Sequence, residues 1–219
     1  MLVLPGVDEK NFAATEKCFR DVLALIKNLP EAERWVHVDV TDGTFTPNSY
    51  WHNVAELPKL RPLADAVKVK IEIHLMIARP ECQLGDWLRS GADRVVIHAE
   101  ALEFKDIPIM LGEAVVLGVV PATPIERLIV SAEYAKQVLF LAVKPGFSGG
   151  KFDESTLDKI RVLQKRRPNV TIEVDGGMNL ETARGVVEAG AQMIVSTSYI
   201  RDHADPKKAL ELLRRLQSN

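Results

Sequence analysis

Disulfide chemistry is close to absent from this chain. Among 219 residues only Cys18 and Cys82 are cysteines, and they stand alone. They show neither the paired spacing of a zinc site nor the density of a disulfide scaffold, so two reduced thiols are expected. No apolar run approaches the roughly 18 residues that a membrane span needs. The start "MLVLPGVDEK" lacks the basic head and long apolar stretch of a secretory signal. A reducing, cytoplasmic setting is the expectation. There is no block of one charge: 28 basic against 30 acidic residues leave a formal net charge of −2. That excludes an electrostatic footprint for nucleic acid and an acidic disordered tail. No low-complexity segment and no linker rich in Gly, Pro or Ser interrupts the chain, so residues 1–219 read as one domain.

What is there is alternation. Short apolar, β-branched runs recur as "MLVLP", "WVHVDV", "AVKVKIEIHLMI", "ADRVVIHAE", "EAVVLGVV", "QVLFLAV", "VTIEVDGG" and "AQMIVSTS". Between them lie amphipathic stretches. "NFAATEKCFRDVLALIKNL" puts Phe12, Phe19, Val22, Leu23 and Ile26 near one face, and "ECQLGDWLRSG", "ESTLDKIRVLQKRR", "LETARGVVEAG" and "DPKKALELLRRLQ" follow the same helical rule. Strand–helix alternation implies parallel pairing, and continuously apolar strands imply a sheet covered on both faces. Eight such units predict a closed (β/α)8 TIM barrel of the α/β class. An open doubly wound sheet would need a Gly-rich turn after the first strand, and "PGVDEK" is not one.

In such a barrel the chemistry sits at the C-terminal ends of the strands. Polar residues should therefore gather there and be sparse elsewhere along the strands. They do gather: strand two ends in His37 and Asp39, strand three in His74, strand four in His98 and Glu100, strand seven in Asp175. Strand alternation puts His37 and Asp39 on the same face. One strand-end histidine is most often a hydrogen-bonded structural residue, and one aspartate a cap. Two histidines and two carboxylates from three strand ends suit a divalent metal, and imidazole favours zinc, iron, manganese or cobalt over magnesium or calcium.

Other features point to an anion. "PGFSGGKF", residues 145–152, is a Gly-rich loop after strand six whose backbone amides could cradle a phosphate. "DGGMNLETA" follows strand seven and "STS", residues 196–198, ends strand eight. Loops after strands seven and eight are the usual phosphate site of this fold.

Taken together, "HVDVTDGTFTPN", "IHLMIARP", "IHAEA", "VVPATP", "VKPGFSGGKF" and "EVDGGM" resemble the ribulose-phosphate 3-epimerase family, in its order and roughly at its spacing. The resemblance implies one divalent metal ion held by His37, Asp39, His74 and Asp175. It also implies a phosphorylated ketose substrate and a homo-oligomer. Asp39 and Asp175 would act as acid and base in epimerising D-ribulose 5-phosphate and D-xylulose 5-phosphate at C3, through a planar enediolate. Met76 would form an apolar wall, and substrate or phosphate contacts would fall on Gly6, His74, Gly146, Phe147, Ser148, Gly149, Gly176, Gly177, Thr197 and Ser198. The chain departs from the family pattern at Gly6 (serine in the family), Thr41 (methionine), Ser148 (glycine), Gly150 (glutamine) and Thr197 (glycine).

These departures keep two further readings open: an epimerase of a related ketose phosphate such as allulose 6-phosphate, and a non-catalytic barrel that binds a sugar phosphate. Intact proton-transfer carboxylates argue against the second. Lys144, at the end of strand six, reads as a solvated substitution, a cation aimed at the phosphate, or a Schiff-base lysine. The last leaves the metal set without a job. His98 and Glu100 are expected to hydrogen-bond beside the site. His52 and His203 are expected on the surface, and Trp35, Trp51 and Trp87 in packing.

Overall fold

The computed structural model describes residues 1–102, 107–110, 112–145 and 150–217. Eight strands form a closed barrel in sequential order: β1 Leu2–Val7, β2 Trp35–Thr41, β3 Lys70–Met76, β4 Arg94–His98, β5 Val115–Val119, β6 Gln137–Leu141, β7 Thr171–Asp175 and β8 Met193–Ser196. Every neighbouring pair is parallel, and β1 closes on β8 with Leu4 opposite Val195. Among the described residues the surrounding helices are α1 Phe12–Ile26, α2 Leu57–Asp65, α3 Leu84–Arg89, α4 Ile107–Met110, α5 Ile125–Ser131, α6 Ser155–Arg166, α7 Leu180–Ala189, α8 Ser198–Arg201 and α9 Pro206–Arg214. The expected barrel is what the chain folds into. None of these helices is long and apolar enough to cross a membrane.

Local chemistry explains the elements. α1 starts where the Asn11 side chain accepts from the Ala14 amide, and it buries Phe19, Val22, Leu23 and Ile26 of the predicted stripe, while Phe12 at its start is partly buried. Asn179 and Thr182 form a reciprocal capping box at the start of α7, and Gly190, in the left-handed region, ends it. α2 lay outside the amphipathic patterns because Pro58 and Pro62 interrupt them; the first sits in its opening turn, where proline is tolerated.

Alternation along each strand then sorts the side chains. Val36, Val38 and Val40 point outward into the layer beneath the helices, together with Ile71, Ile73 and Leu75. The residues between them point into the barrel. Its floor is apolar, with Leu4, Met193 and Val195 packed against Leu2 and Trp35. One interior wall is apolar too: Met76, Val96, Val116, Leu139, Leu141 and Val143. Trp51 and Trp87 pack edge to face in the helical layer, whereas Trp35 closes the floor beneath the Arg94 guanidinium, 4.1 Å from its ring.

Candidate active site

Strand register brings the predicted residues together. Asp39 lies opposite His74 across β2 and β3, and Asp175 ends β7 on the other side of the mouth. His37 Nε2 stands 3.2 Å from His74 Nδ1 and 3.2 Å from Asp39 Oδ1. His74 Nδ1 lies 3.0 Å from Asp39 Oδ1, and Asp175 Oδ2 lies 3.9 Å from His37 Nε2 and 3.6 Å from His74 Nδ1. Four electron-pair donors thus face one point. Metal–ligand bonds of ~2.1 Å in a tetrahedral site put donor atoms ~3.4 Å apart, so the observed spacing fits a divalent ion.

The network behind the cluster settles the tautomers. His37 Nδ1–H donates to Glu72 Oε1 at 2.6 Å, which leaves the Nε2 lone pair for the cluster. His74 Nε2–H donates to His98 Nε2 at 2.8 Å, and His98 Nδ1–H donates to Glu100 Oε2 at 3.3 Å. Glu100 is held in turn by the Thr123 hydroxyl and the Val120 amide. His98 and Glu100 therefore orient His74 from beside the site, as their sequence positions suggested.

Electrostatics follow from burial and neighbours. Burial pulls the His37 imidazole pKa down, but hydrogen bonds to Asp39 and Glu72 outweigh it and raise it well above the ordinary value. His74 is raised in the same way, against burial, by Asp175 and Asp39. Burial favours the neutral form of Asp39, yet the two histidines hold its carboxyl far below the usual range. His98 is lowered by burial and by His74, so it stays neutral and able to accept. A divalent cation binds deprotonated ligands, so it would take the place of the protons these carboxylates hold on the imidazoles.

One expectation fails. Polar residues are not confined to the strand ends, because a charged layer lies buried below the cluster. Glu72 and Glu173 have fully buried side chains, and Arg94 hydrogen-bonds Glu72 and reaches Glu173 Oε2 at 3.4 Å. Gln137 bridges Arg94 and Glu173. Burial would raise Glu72, but Arg94 and His37 pull its carboxyl down. Burial and the neighbouring Glu72 charge push Glu173 well above the usual range, which favours a protonated Glu173 beside an ionised Glu72. A signal for these residues was available. Glu72 and Glu173 each stand two positions before a cluster residue, in "EIH" and "EVD", and so share its inward face. Glu72→Gln should weaken metal affinity by ~10–100-fold, the usual effect of losing the carboxylate behind a metal-binding histidine. Titration of the metal-free protein with a competing chelator measures it.

The remaining predicted positions divide. Met76 is buried in the apolar wall, with Phe45 packed against it and the Phe45 ring 4.9 Å from that of His98. The chain after β2 is pinned over the mouth by Asp42, which accepts from the Thr44 and Ala78 amides, and by buried Thr41, whose hydroxyl bonds Asn48 and Tyr50. Gly176 and Gly177 turn the chain after β7 at φ +98° and +69°. A Cβ on Gly176 would come within 2.7 Å of Val143, so this turn requires glycine. Gly6 lies opposite His37, Thr197 precedes α8 and Ser198 is its first residue. Gly146, Phe147, Ser148 and Gly149 lie outside the described residues. Lys144 and His52 are exposed and His203 is half-buried. An exposed Lys144 fits the solvated substitution.

Known proteins resemble this chain in sequence and in fold. The chain is 34% identical over 207 residues to ribulose-phosphate 3-epimerase of Bacillus subtilis, covering 89% of this chain and 94% of that one. It is 34% identical over 194 residues to the chloroplastic ribulose-5-phosphate-3-epimerase of Arabidopsis thaliana, covering 83% and 68%. Among solved structures, 3-keto-L-gulonate-6-phosphate decarboxylase of Vibrio cholerae superposes with a TM-score of 0.70 at 12% identity, over 98% of this chain and 96% of that one; at that identity it speaks for the fold alone. Residues 13–201, which carry every cluster residue and all strands from β2 to β8, match the ribulose-phosphate 3 epimerase family, and the chain belongs to that family.

Proposed function

We propose that this protein is a metal-dependent epimerase that interconverts D-ribulose 5-phosphate and D-xylulose 5-phosphate, with Asp39 and Asp175 as the two proton-transfer groups. One observation carries the reading. Each aspartate places a single oxygen in the cluster, Oδ1 of Asp39 and Oδ2 of Asp175, and its other oxygen takes part in none of those contacts. Both side chains reach the mouth, 13% and 11% exposed, while His37 and His74 are fully buried beneath them. The two carboxylates come from β2 and β7, which are not neighbours in the barrel.

The chemistry needs that arrangement. The proton at C3 lies next to the C2 carbonyl. One carboxylate removes it, the carbon becomes planar, and the other carboxyl returns a proton on the opposite face. A single group on one face would exchange the proton without inverting the centre. A divalent ion held by His37, Asp39, His74 and Asp175 would supply positive charge where negative charge develops on the substrate oxygens. Zinc, iron, manganese and cobalt all suit this donor set. Met76 and Phe45 close an apolar side of the mouth. Gly176, Gly177, Thr197 and Ser198, together with the 146–149 loop, form the substrate- and phosphate-holding side of the proposal. The reading treats 1–219 as one domain and the protein as a cytoplasmic homo-oligomer. The free thiols of Cys18 and Cys82 fit a reducing compartment.

The test is NMR in heavy water with ribulose 5-phosphate and added zinc, iron, manganese or cobalt. Loss of the C3 proton signal with appearance of xylulose 5-phosphate is expected. Absence of exchange with every metal would sink the assignment of substrate and direct the search to related ketose phosphates, allulose 6-phosphate first.

A further inference from the structure

Gly6 and Thr197 occupy one space between them. Leu4 and Val195 are paired across β1 and β8 and belong to the barrel interior. Gly6 stands two residues further on along β1, the inward position one layer higher, and Thr197, the residue after β8, sets its side chain against that position. Gly6 lies opposite His37. A Cβ built on Gly6 would come within 2.0 Å of Thr197 Oγ1 and 3.1 Å of Thr197 Cβ. The Gly6 backbone is not in the left-handed region, unlike Gly176 and Gly177. Glycine is needed at position 6 for room, and the room is taken by the threonine hydroxyl.

Among the described residues that hydroxyl is not otherwise engaged. Thr197 is the residue before α8, where a threonine ordinarily accepts from an amide of the first turn, but it makes no such bond. Among the described residues its Oγ1 has no hydrogen-bond partner, and the side chain is half-buried. A polar group packed over a glycine that lies opposite His37 is placed to meet a ligand.

We infer that the Thr197 hydroxyl binds a sugar hydroxyl of the phosphorylated ketose, acting in the space that a side chain at position 6 would otherwise fill. The inference rests on the epimerase reading above. It also makes positions 6 and 197 a coupled pair, in which a side chain can stand at one or the other.

The experiment is steady-state kinetics with ribulose 5-phosphate on four variants, with thermal unfolding of each. Thr197→Val keeps the shape and removes the hydroxyl. Its KM should rise roughly five- to tenfold, with kcat within about twofold, the pattern of lost ground-state binding. Thr197→Ser keeps the hydroxyl and should raise KM less than Thr197→Val does. Gly6→Ser alone should lower both Tm and activity, and Gly6→Ser with Thr197→Gly should recover both, because the space is then shared once. An unchanged KM in Thr197→Val, or Gly6→Ser tolerated as well alone as in the double variant, would overturn the inference. A wild-type protein without C3 exchange would overturn the parent reading instead. Calorimetric binding of ribulose 5-phosphate to wild type and Thr197→Val would then decide the role of Thr197: equal affinities refute it, and a five- to tenfold loss upholds it.

Discussion

Asp39→Asn and Asp175→Asn are each expected to lower kcat for ribulose 5-phosphate epimerisation by at least ~10³-fold, near the upper end of what one acid–base group contributes. Asparagine keeps the size of the side chain and one oxygen donor for the cluster, but it can neither take nor give the proton. Circular dichroism should show an unchanged fold, since both side chains sit at the mouth and not in the packed layers. Because each residue also faces the metal position, bound metal must be measured alongside the rate. A variant that still holds metal and still fails to turn over isolates the proton-transfer role. Isotope exchange sharpens the result. With one carboxylate intact, each variant should exchange the C3 proton of only one of the two epimers, and the two variants should differ in which. Near-normal turnover in either one would mean that the two-carboxylate mechanism is wrong.

Arg94→Leu should be the most destabilising single change in the barrel interior away from the metal residues. Arg94 is the cation between Glu72 and Glu173, and its removal leaves the Glu72 charge buried with only His37 and a protonated neighbour for company. Breaking a buried ion pair by deleting one partner costs about 3–5 kcal/mol. For a chain of this length that corresponds to a fall in Tm of roughly 6–20 °C. Leucine fills much of the volume, so a large drop reports the charge and not a cavity. The control is Arg94→Leu combined with Glu72→Gln and Glu173→Gln, which removes the stranded charge. It should recover a substantial part of the loss, because a buried ion pair replaced as a whole is often close to neutral. If Arg94→Leu alone unfolds within about 2 °C of wild type, the charged layer is solvated and the account of it fails.

The buried layer also explains why the cluster keeps its shape. Glu72 holds His37 in the tautomer that presents Nε2, Arg94 holds Glu72, and Gln137 and Glu173 hold Arg94. His74 is oriented through an independent chain, His98 to Glu100 to Thr123. The two imidazoles are thus fixed by separate networks, one from the charged layer below and one through His98, and the aspartates complete the set from the rim.

The sequence by itself determined the barrel and the four residues at its centre. Short, continuously apolar runs between amphipathic helices allow little besides a covered parallel sheet. A polar residue in an apolar strand is conspicuous, so His37, Asp39, His74 and Asp175 stood out where the chain leaves the strands. Tertiary structure alone decided the pairings. Glu72 and Glu173 could be placed on the inward face by counting residues, but Arg94 as their shared partner depends on the register of β3 against β4 and on the closure of the barrel. Gly6 and Thr197 read as two unrelated departures from the family pattern. They became one feature only when β1 closed on β8 and set a side chain at the end of the chain into the space above a glycine at its start. Periodicity is a property of neighbours along the chain; contact across the barrel is set by strand order, register and the exclusion of two atoms from one place.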